Sequence, residues 1–462
     1  MDVLGVVMAI LIWSTCLTSF GEVCYYAIFD IQDYQKHKPM KHLLFILVVV
    51  LFAENTNAQF RKYFEEKTLR LDYYHCGNAK TEHFYFDELI QEPYWAGSQT
   101  QLVDSTNYGN NFVEVHSAET GDLIYSRGFC TLFGEWQTTP EAKITDCCYP
   151  ESVVMPFPLG KVMVSILSRN RLGIFEKMFE YEVDPKSYFI KKETEKLPVF
   201  DVVNSGSPAR KVDIVLLPEG YTEGEKDLFI ADCRNFASEF FKYSPYAENK
   251  KNFNIRGVWA PSSESGPDIP KDGRWRKTRL NGSYSTFDSE RYLMVNDFQG
   301  VRDVAGNAPY DCIYILANTD KYGGGAIYNF YGISAAHHAD KAGKIYIHEF
   351  GHLFAGLGDE YVGGVEYSDF YPTTVEPWEA NLTTLVNFEK KWKNMLPAGS
   401  PVPTPQNLAA PGKLGVYEGG GYVSKGIYRP CTNCLMNNLH NIDVFCPVCR
   451  KAIQNMIDLH CK

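Results

Sequence analysis

The segment KIYIHEFGHLFAGLGDEY, residues 344–361, contains two histidines four positions apart. Residues i and i+4 lie one turn apart on the same face of an α-helix, so His348 and His352 are expected to face the same side. The apolar residues around them fit the opposite, buried face. Two imidazoles on one helix face can bind a single zinc ion. The segment therefore predicts a buried helix that carries a zinc site.

The residues that follow each histidine complete this prediction. Glu349 comes directly after the first histidine, so its carboxylate can activate a water molecule without ligating the metal. Gly356 and Gly358 permit the positive φ that a sharp turn back toward the histidines needs. Asp359 is the first oxygen donor after this turn, and we expect it to be the third ligand. Glu360 is the alternative.

Upstream of this helix, three apolar stretches predict buried strands of a mixed sheet. They are VDIVLLPEGY (212–221), FNIRGVWAP (253–261) and YDCIYILAN (310–318). After the first of them, Thr222 and Glu225 form a capping-box pattern, and aromatic residues follow at helical spacing. Residues 211–462 are therefore predicted to form an α/β domain in which helices pack on a mixed sheet.

Residues 59–185 differ in character, because short stretches of alternating polarity are separated by turn residues. This pattern is typical of strands, and SAETGD (117–122) predicts a hairpin loop between two of them. We expect an accessory β-sandwich domain that supports folding or binds a host protein or glycan. Residues 186–210, charged and then rich in Ser, Gly and Pro, are the predicted linker. The predicted fold class is therefore α+β.

Near the end of the chain, Cys431, Cys434, Cys446 and Cys449 form two CxxC pairs. This spacing is compatible with a structural zinc knuckle or with disulfides. If the chain is exported, disulfides are favoured, because the compartments outside the cytoplasm are oxidising.

Residues 1–58 are interpreted as an export-signal region whose true start is Met40. Lys41 precedes an apolar run of about ten residues, which is too short to span a bilayer. Thr56 and Ala58 occupy the small-residue positions that precede a cleavage site. We expect cleavage after Ala58, no stable membrane span, and a secreted, periplasmic or cell-surface location.

The composition excludes several classes of protein. With 45% hydrophobic and 22% charged residues, the chain is globular rather than disordered. Its formal net charge of −11 argues against nucleic-acid binding, which normally requires a basic surface.

The zinc-helix pattern resembles that of the metzincin peptidases, HExxHxxGxxH, whose metal lies above a methionine-containing turn. Here the glycine and the acidic ligand each come one position later, and the third donor is a carboxylate. The resemblance implies that Met436 packs beneath the histidines as an apolar floor. It also implies that Gly323, Gly324 and Gly325 lie in an edge strand that pairs with extended substrate. A flexible surface loop is the alternative for these glycines.

Several further motifs make the resemblance more specific. They are DIVLLPEGYT (213–222), PSSESG (261–266), YDCIYILAN with the following YGGG, EPWEANLTTLVNFEKKW (376–392) and the CLM…FCPVC ending. Together with the zinc helix they resemble the bacterial immunoglobulin-A zinc metallopeptidase family. The resemblance implies an exported zinc endopeptidase with one catalytic Zn²⁺ and a protein or peptide substrate. Two alternatives stay open: a catalytically idle binding module, and a zinc hydrolase of non-peptide amides.

Overall fold

The computed structural model describes residues 59–338, 342–363, 370–439 and 442–461. The predicted export signal at residues 1–58 lies outside the described residues. The described chain has mixed α/β structure with several sheets. In these described ranges, no helix is long and apolar enough to cross a bilayer.

The N-terminal region consists almost entirely of strands. They are β1 (Phe64–Gly77), β2 (Glu82–Glu92), β3 (Asn111–Ser117), β4 (Leu123–Phe129), β5 (Cys147–Pro158), β6 (Val162–Arg169), β7 (Phe175–Val183) and β8 (Ile190–Lys191). A short helix, α1 (Leu132–Trp136), follows β4. The strands form two four-stranded sheets, in the orders β5-β1-β2-β8 and β4-β3-β6-β7. Their pairings are antiparallel except that of β2 with β8.

Alternating polarity along these strands places apolar side chains of both sheets in one core. Leu69 and Val153 come from the first sheet, and Val113 and Val164 come from the second. A disulfide joins Cys76 of β1 to Cys148 of β5, which are directly opposite each other in the strand register. The prediction of a separate, strand-rich N-terminal domain is confirmed.

A six-stranded mixed sheet organises the rest of the chain. Its strands are β9 (Val199–Val203), β10 (Val212–Glu219), β11 (Phe253–Val258), β12 (Cys312–Ala317), β13 (Gly324–Ala326) and β14 (Gly332–Ala335). The order is β13-β14-β12-β10-β11-β9, with parallel strands in the centre and antiparallel β9 and β13 at the edges. The predicted linker thus contains β8 and β9, which are edge strands of two different sheets. The domain boundaries stay a prediction.

Helices cover both faces of this sheet. They are α2 (Lys226–Phe240), α3 (Phe298–Ala305), α4 (Ala342–Ala355) and α5 (Pro447–Cys461), and a hairpin of β15 (Tyr417–Gly420) and β16 (Val423–Arg429) precedes α5. On β10, Ile214 and Leu216 pack in a core with α2, α4 and α5. Val215 and Leu217 pack in the opposite core with α1 and α3. Burial on both faces explains the continuous apolar run of β10.

Candidate metal centre

Helix α4 carries His348 and His352 on one face, with their Nε2 atoms 3.1 Å apart. Nδ1–H of His348 donates to the carbonyl oxygen of Leu435 at 3.0 Å. Nδ1–H of His352 donates to the carbonyl oxygen of Leu357 at 2.5 Å. A histidine that donates through Nδ1 keeps a free lone pair on Nε2, so both rings are prepared to ligate a metal.

The chain turns sharply after α4, at Gly356. Its φ of +56° is left-handed, and an ideal Cβ there would lie 2.5 Å from Cζ3 of Trp378, so only glycine fits. Gly358 has no positive φ, and its small size instead accommodates Leu382, whose Cδ1 would lie 2.5 Å from an added Cβ. The prediction of a left-handed turn residue is therefore right for Gly356 and wrong for Gly358.

The turn brings Asp359 back to the imidazole pair. Its Oδ1 lies 3.2 Å from Nε2 of His348 and 3.4 Å from Nε2 of His352. Its Oδ2 accepts a hydrogen bond of 2.6 Å from the Tyr422 hydroxyl, whereas Oδ1 is buried and has no hydrogen-bond partner among the residues that the structure describes. Burial alone would lower the pKa of His352, but the Asp359 carboxylate outweighs it and raises that pKa to about 9. The centre therefore stabilises positive charge.

These three side chains fit a zinc ion. Ligands at about 2.0–2.1 Å in tetrahedral geometry lie about 3.4 Å from one another. The observed separations of 3.1, 3.2 and 3.4 Å are close to this value. Two imidazole nitrogens and one carboxylate oxygen suit zinc and leave a fourth position open, as in catalytic sites. A buried carboxylate oxygen without a partner is costly unless a cation binds it.

Glu349 and Glu360 are adjacent in the chain to these ligands, and their side chains have different surroundings. Glu349 is partly buried beside His348, and burial raises the pKa of its carboxyl. Glu360 points away from the imidazoles: its Oε1 accepts from Nδ2 of Asn381 at 3.0 Å and lies 3.2 Å from Sγ of Cys449. Of the two candidates for third ligand, the structure thus brings Asp359 to the histidines, and not Glu360.

Met436 is fully buried against helix α4. Its sulfur would lie 3.1 Å from a Cβ added at Gly351, which is the residue before the second histidine. The Met436 carbonyl oxygen accepts the N–H of Glu360 at 2.7 Å. The methionine therefore lies against the histidine-bearing helix, and its role as a floor stays a prediction.

Comparison with protein families agrees with this geometry. The family model described as IgA Peptidase M64 matches residues 200–410 and 406–457, and the one described as Peptidase M64 N-terminus matches residues 59–180. The chain belongs to the IgA peptidase M64 family. The predicted family resemblance is confirmed, and the chain is a peptidase whose substrates are proteins or peptides. None of the curated proteins compared with it matches.

In this M64 peptidase, the glycines predicted to bind substrate lie in and next to β13. Gly324 and Gly325 pair with β14, and β13 is at the sheet edge. On its outer side, however, the Gly324 N–H donates to the carbonyl oxygen of Arg291 at 3.3 Å, and Tyr292 forms a bridge with Gly324. The sheet edge is therefore partly covered, and a substrate strand could pair at Gly324 only if the 291–292 segment moved away.

Two residues near the metal centre of this M64 peptidase, Glu135 and Tyr422, were not predicted from the sequence. Burial raises the pKa of Glu135 in α1 to about 7, and its carboxylate accepts a hydrogen bond from the Tyr292 hydroxyl. The charges of His352 and Glu349 also act on this pKa, so the N-terminal domain places a carboxyl near the centre. Tyr422, which holds Asp359, lies 63 residues further along the chain. No local sequence pattern marks either residue.

Proposed function

We propose that this M64 peptidase is a zinc-dependent endopeptidase in which His348, His352 and Asp359 hold the metal and Glu349 is the general base. The convergence of three ligand atoms within 3.1 to 3.4 Å of one another carries this proposal. The buried, unpartnered Oδ1 of Asp359 supports it, because this oxygen has no other ligand in the described structure.

Bound zinc supplies Lewis-acid chemistry, which polarises the scissile carbonyl and acidifies water. Glu349 takes a proton from the attacking water and delivers it to the leaving nitrogen. Because burial raises the pKa of Glu349, its carboxylate is a stronger base for taking that proton. The anionic Asp359 lowers the net charge of the site and so increases the share of water activation that falls to Glu349.

We infer further that the chain is exported. The disulfide between Cys76 and Cys148 supports this inference, because such bonds persist mainly in oxidising compartments. The basic start and short apolar run after Met40 are typical of a cleaved signal.

The test is cleavage of a peptide library by the purified chain, read by mass spectrometry with and without a chelator. Glu349→Gln is expected to abolish cleavage and to keep zinc, because the amide cannot accept the proton and the residue is not a ligand. His348→Ala is expected to lose both cleavage and zinc. Glu248→Gln, on an exposed residue, is the matched control and keeps both.

Three results would contradict the proposal. Cleavage that persists in the chelator would remove the requirement for a metal. Zinc loss in Glu349→Gln would make Glu349 a ligand rather than a base. Removal of single terminal residues only, without internal cuts, would make the enzyme an exopeptidase.

A further inference from the structure

A second group of potential metal ligands lies behind Asp359. It consists of Glu360, Cys434, Cys446 and Cys449, and we call it the cysteine cluster. All four side chains are buried, and their ligand atoms lie within 4.8 Å of one another. The cluster joins the turn after α4 to the loop that leads into α5.

The cysteines of this cluster are free thiols. Sγ of Cys434 and Sγ of Cys449 lie 3.7 Å apart, far beyond the bond length of about 2.05 Å of a disulfide. Cys431 is also free, and its Sγ donates to the carbonyl oxygen of Lys413 at 3.3 Å. The preference for disulfides among the four C-terminal cysteines is therefore wrong: all four are free, and the thiols of Cys434, Cys446 and Cys449 lie close together instead of bonding in pairs.

Three of the six separations among the ligand atoms of the cysteine cluster are close to those of a tetrahedral zinc site. Zinc–sulfur bonds of about 2.3 Å place two thiolates about 3.8 Å apart, and a thiolate and a carboxylate oxygen about 3.6 Å apart. The observed sulfur separation is 3.7 Å. Oε1 of Glu360 lies 3.2 Å from Sγ of Cys449 and 3.9 Å from Sγ of Cys446, on either side of the expected value.

Two further observations indicate a cation. Oε2 of Glu360 is buried and has no hydrogen-bond partner among the described residues. Backbone N–H groups donate to sulfur, from Cys446 to Sγ of Cys434 at 3.3 Å and from Cys449 to Sγ of Cys446 at 3.4 Å. Such donors stabilise thiolates rather than thiols, and a thiolate is the form that ligates a metal.

We propose that Glu360, Cys434, Cys446 and Cys449 bind a structural zinc ion that is separate from the catalytic one. Three thiolates, one carboxylate and one Zn²⁺ leave a net charge of about −2. The positive end of helix α5, which begins at Pro447, and the half-buried guanidinium of Arg429 offset this charge. Binding releases to solvent the protons that the four side chains of the cysteine cluster hold, and it requires no oxidant.

This structural zinc stabilises the catalytic centre through residues that are adjacent to its ligands in the chain. Glu360 follows Asp359 in the chain, so fixing the one carboxylate restricts the other. Cys434 precedes Leu435 and Met436, whose carbonyl oxygens accept the Nδ1–H of His348 and the N–H of Glu360. The structural zinc therefore fixes Asp359 and the hydrogen bond to His348. Through these contacts, the buried cluster supports the catalytic centre.

The test uses the full chain loaded with Zn²⁺ or Co²⁺. Zinc is counted by elemental analysis, and Co²⁺ reports thiolate ligation through its sulfur-to-metal charge-transfer absorption. One variant combines His348→Ala with His352→Ala and so removes only the catalytic site. A second, Cys446→Ala, removes a cluster ligand. Cys233→Ala is its matched control, because Cys233 is an equally buried free cysteine in α2.

We expect two zinc ions per chain in the wild type and one in the histidine double variant, with the thiolate-to-cobalt absorption kept. Cys446→Ala loses this absorption, and Cys233→Ala retains it. A mercurial that attacks thiols releases one zinc ion from the wild type, which makes the result independent of how well any variant folds. One zinc in the wild type, no zinc in the double variant, or a Cys434–Cys449 disulfide would overturn the proposal. Because the double variant lacks the catalytic site, this result is separate from the outcome of the peptidase test.

Discussion

Gly356 is the residue at which the chain turns back toward the histidines, and we expect Gly356→Ala to damage both stability and metal binding. The left-handed φ of +56° is unfavourable for alanine. The new methyl group would also lie 2.5 Å from Cζ3 of Trp378 and 3.1 Å from Cδ2 of Tyr328, so both rings would have to shift.

The expected loss of stability in Gly356→Ala is the sum of two contributions. A left-handed alanine costs about 1–2 kcal/mol relative to glycine. Overpacking against the Trp378 and Tyr328 rings adds about 1–3 kcal/mol. The sum of about 2–5 kcal/mol is a large part of the stability of a typical domain, which is about 5–15 kcal/mol. Gly399→Ala is the matched control, because Gly399 has a φ of +77° but no atom of the described residues lies within 4 Å of an added Cβ.

The free energy of unfolding is measured by urea titration of both variants in the metal-free state, and zinc affinity by competition with a chelator. Gly399→Ala is expected to lose only the first term and to bind zinc normally. Gly356→Ala is expected to lose more stability and to bind zinc at least tenfold more weakly, because relief of the overlap displaces Leu357 and Asp359. Equal losses in the two variants, with unchanged zinc affinity, would refute this account of the turn.

Three other predictions concern single interactions. Tyr422→Phe removes a hydrogen bond to the Asp359 carboxylate and should weaken zinc binding about 10- to 100-fold in the same competition assay; unchanged affinity would contradict that role. Burial raises the pKa of Glu219 from its ordinary 4.5 to about 7, so between these pH values the folded chain holds a proton that the unfolded chain has released. Stability should therefore fall by about 3 kcal/mol as pH rises through this interval, and urea titrations of Glu219→Gln should lack that slope. The disulfide between Cys76 and Cys148 closes a loop with a sequence separation of 72, so replacing both by alanine should lower the free energy of unfolding by about 4 kcal/mol. A reductant should lower the free energy of unfolding of the wild type by the same amount.

Much of the fold could be predicted because its signals are local. The continuous apolar run of 212–221 predicted a strand buried on both faces, and β10 packs in two cores. The capping-box pattern at Thr222 and Glu225 is present in the structure and leads into α2. The strands inside the predicted linker were not predicted from the sequence. β8 and β9 are short and half-exposed, and they are strands because they pair with strands elsewhere in the chain.

The site residues also fall into those that local spacing predicts and those that long-range packing positions. Helical periodicity predicts that the two histidines and the glutamate lie on one helix, because it fixes which residues are neighbours. The position of Asp359 beside the histidines, with Glu360 pointing away, depends on the packing around the turn, because adjacent residues outside a helix point in different directions. The same holds for Glu135 and Tyr422, because long-range packing brings them to the centre and no sequence spacing encodes it.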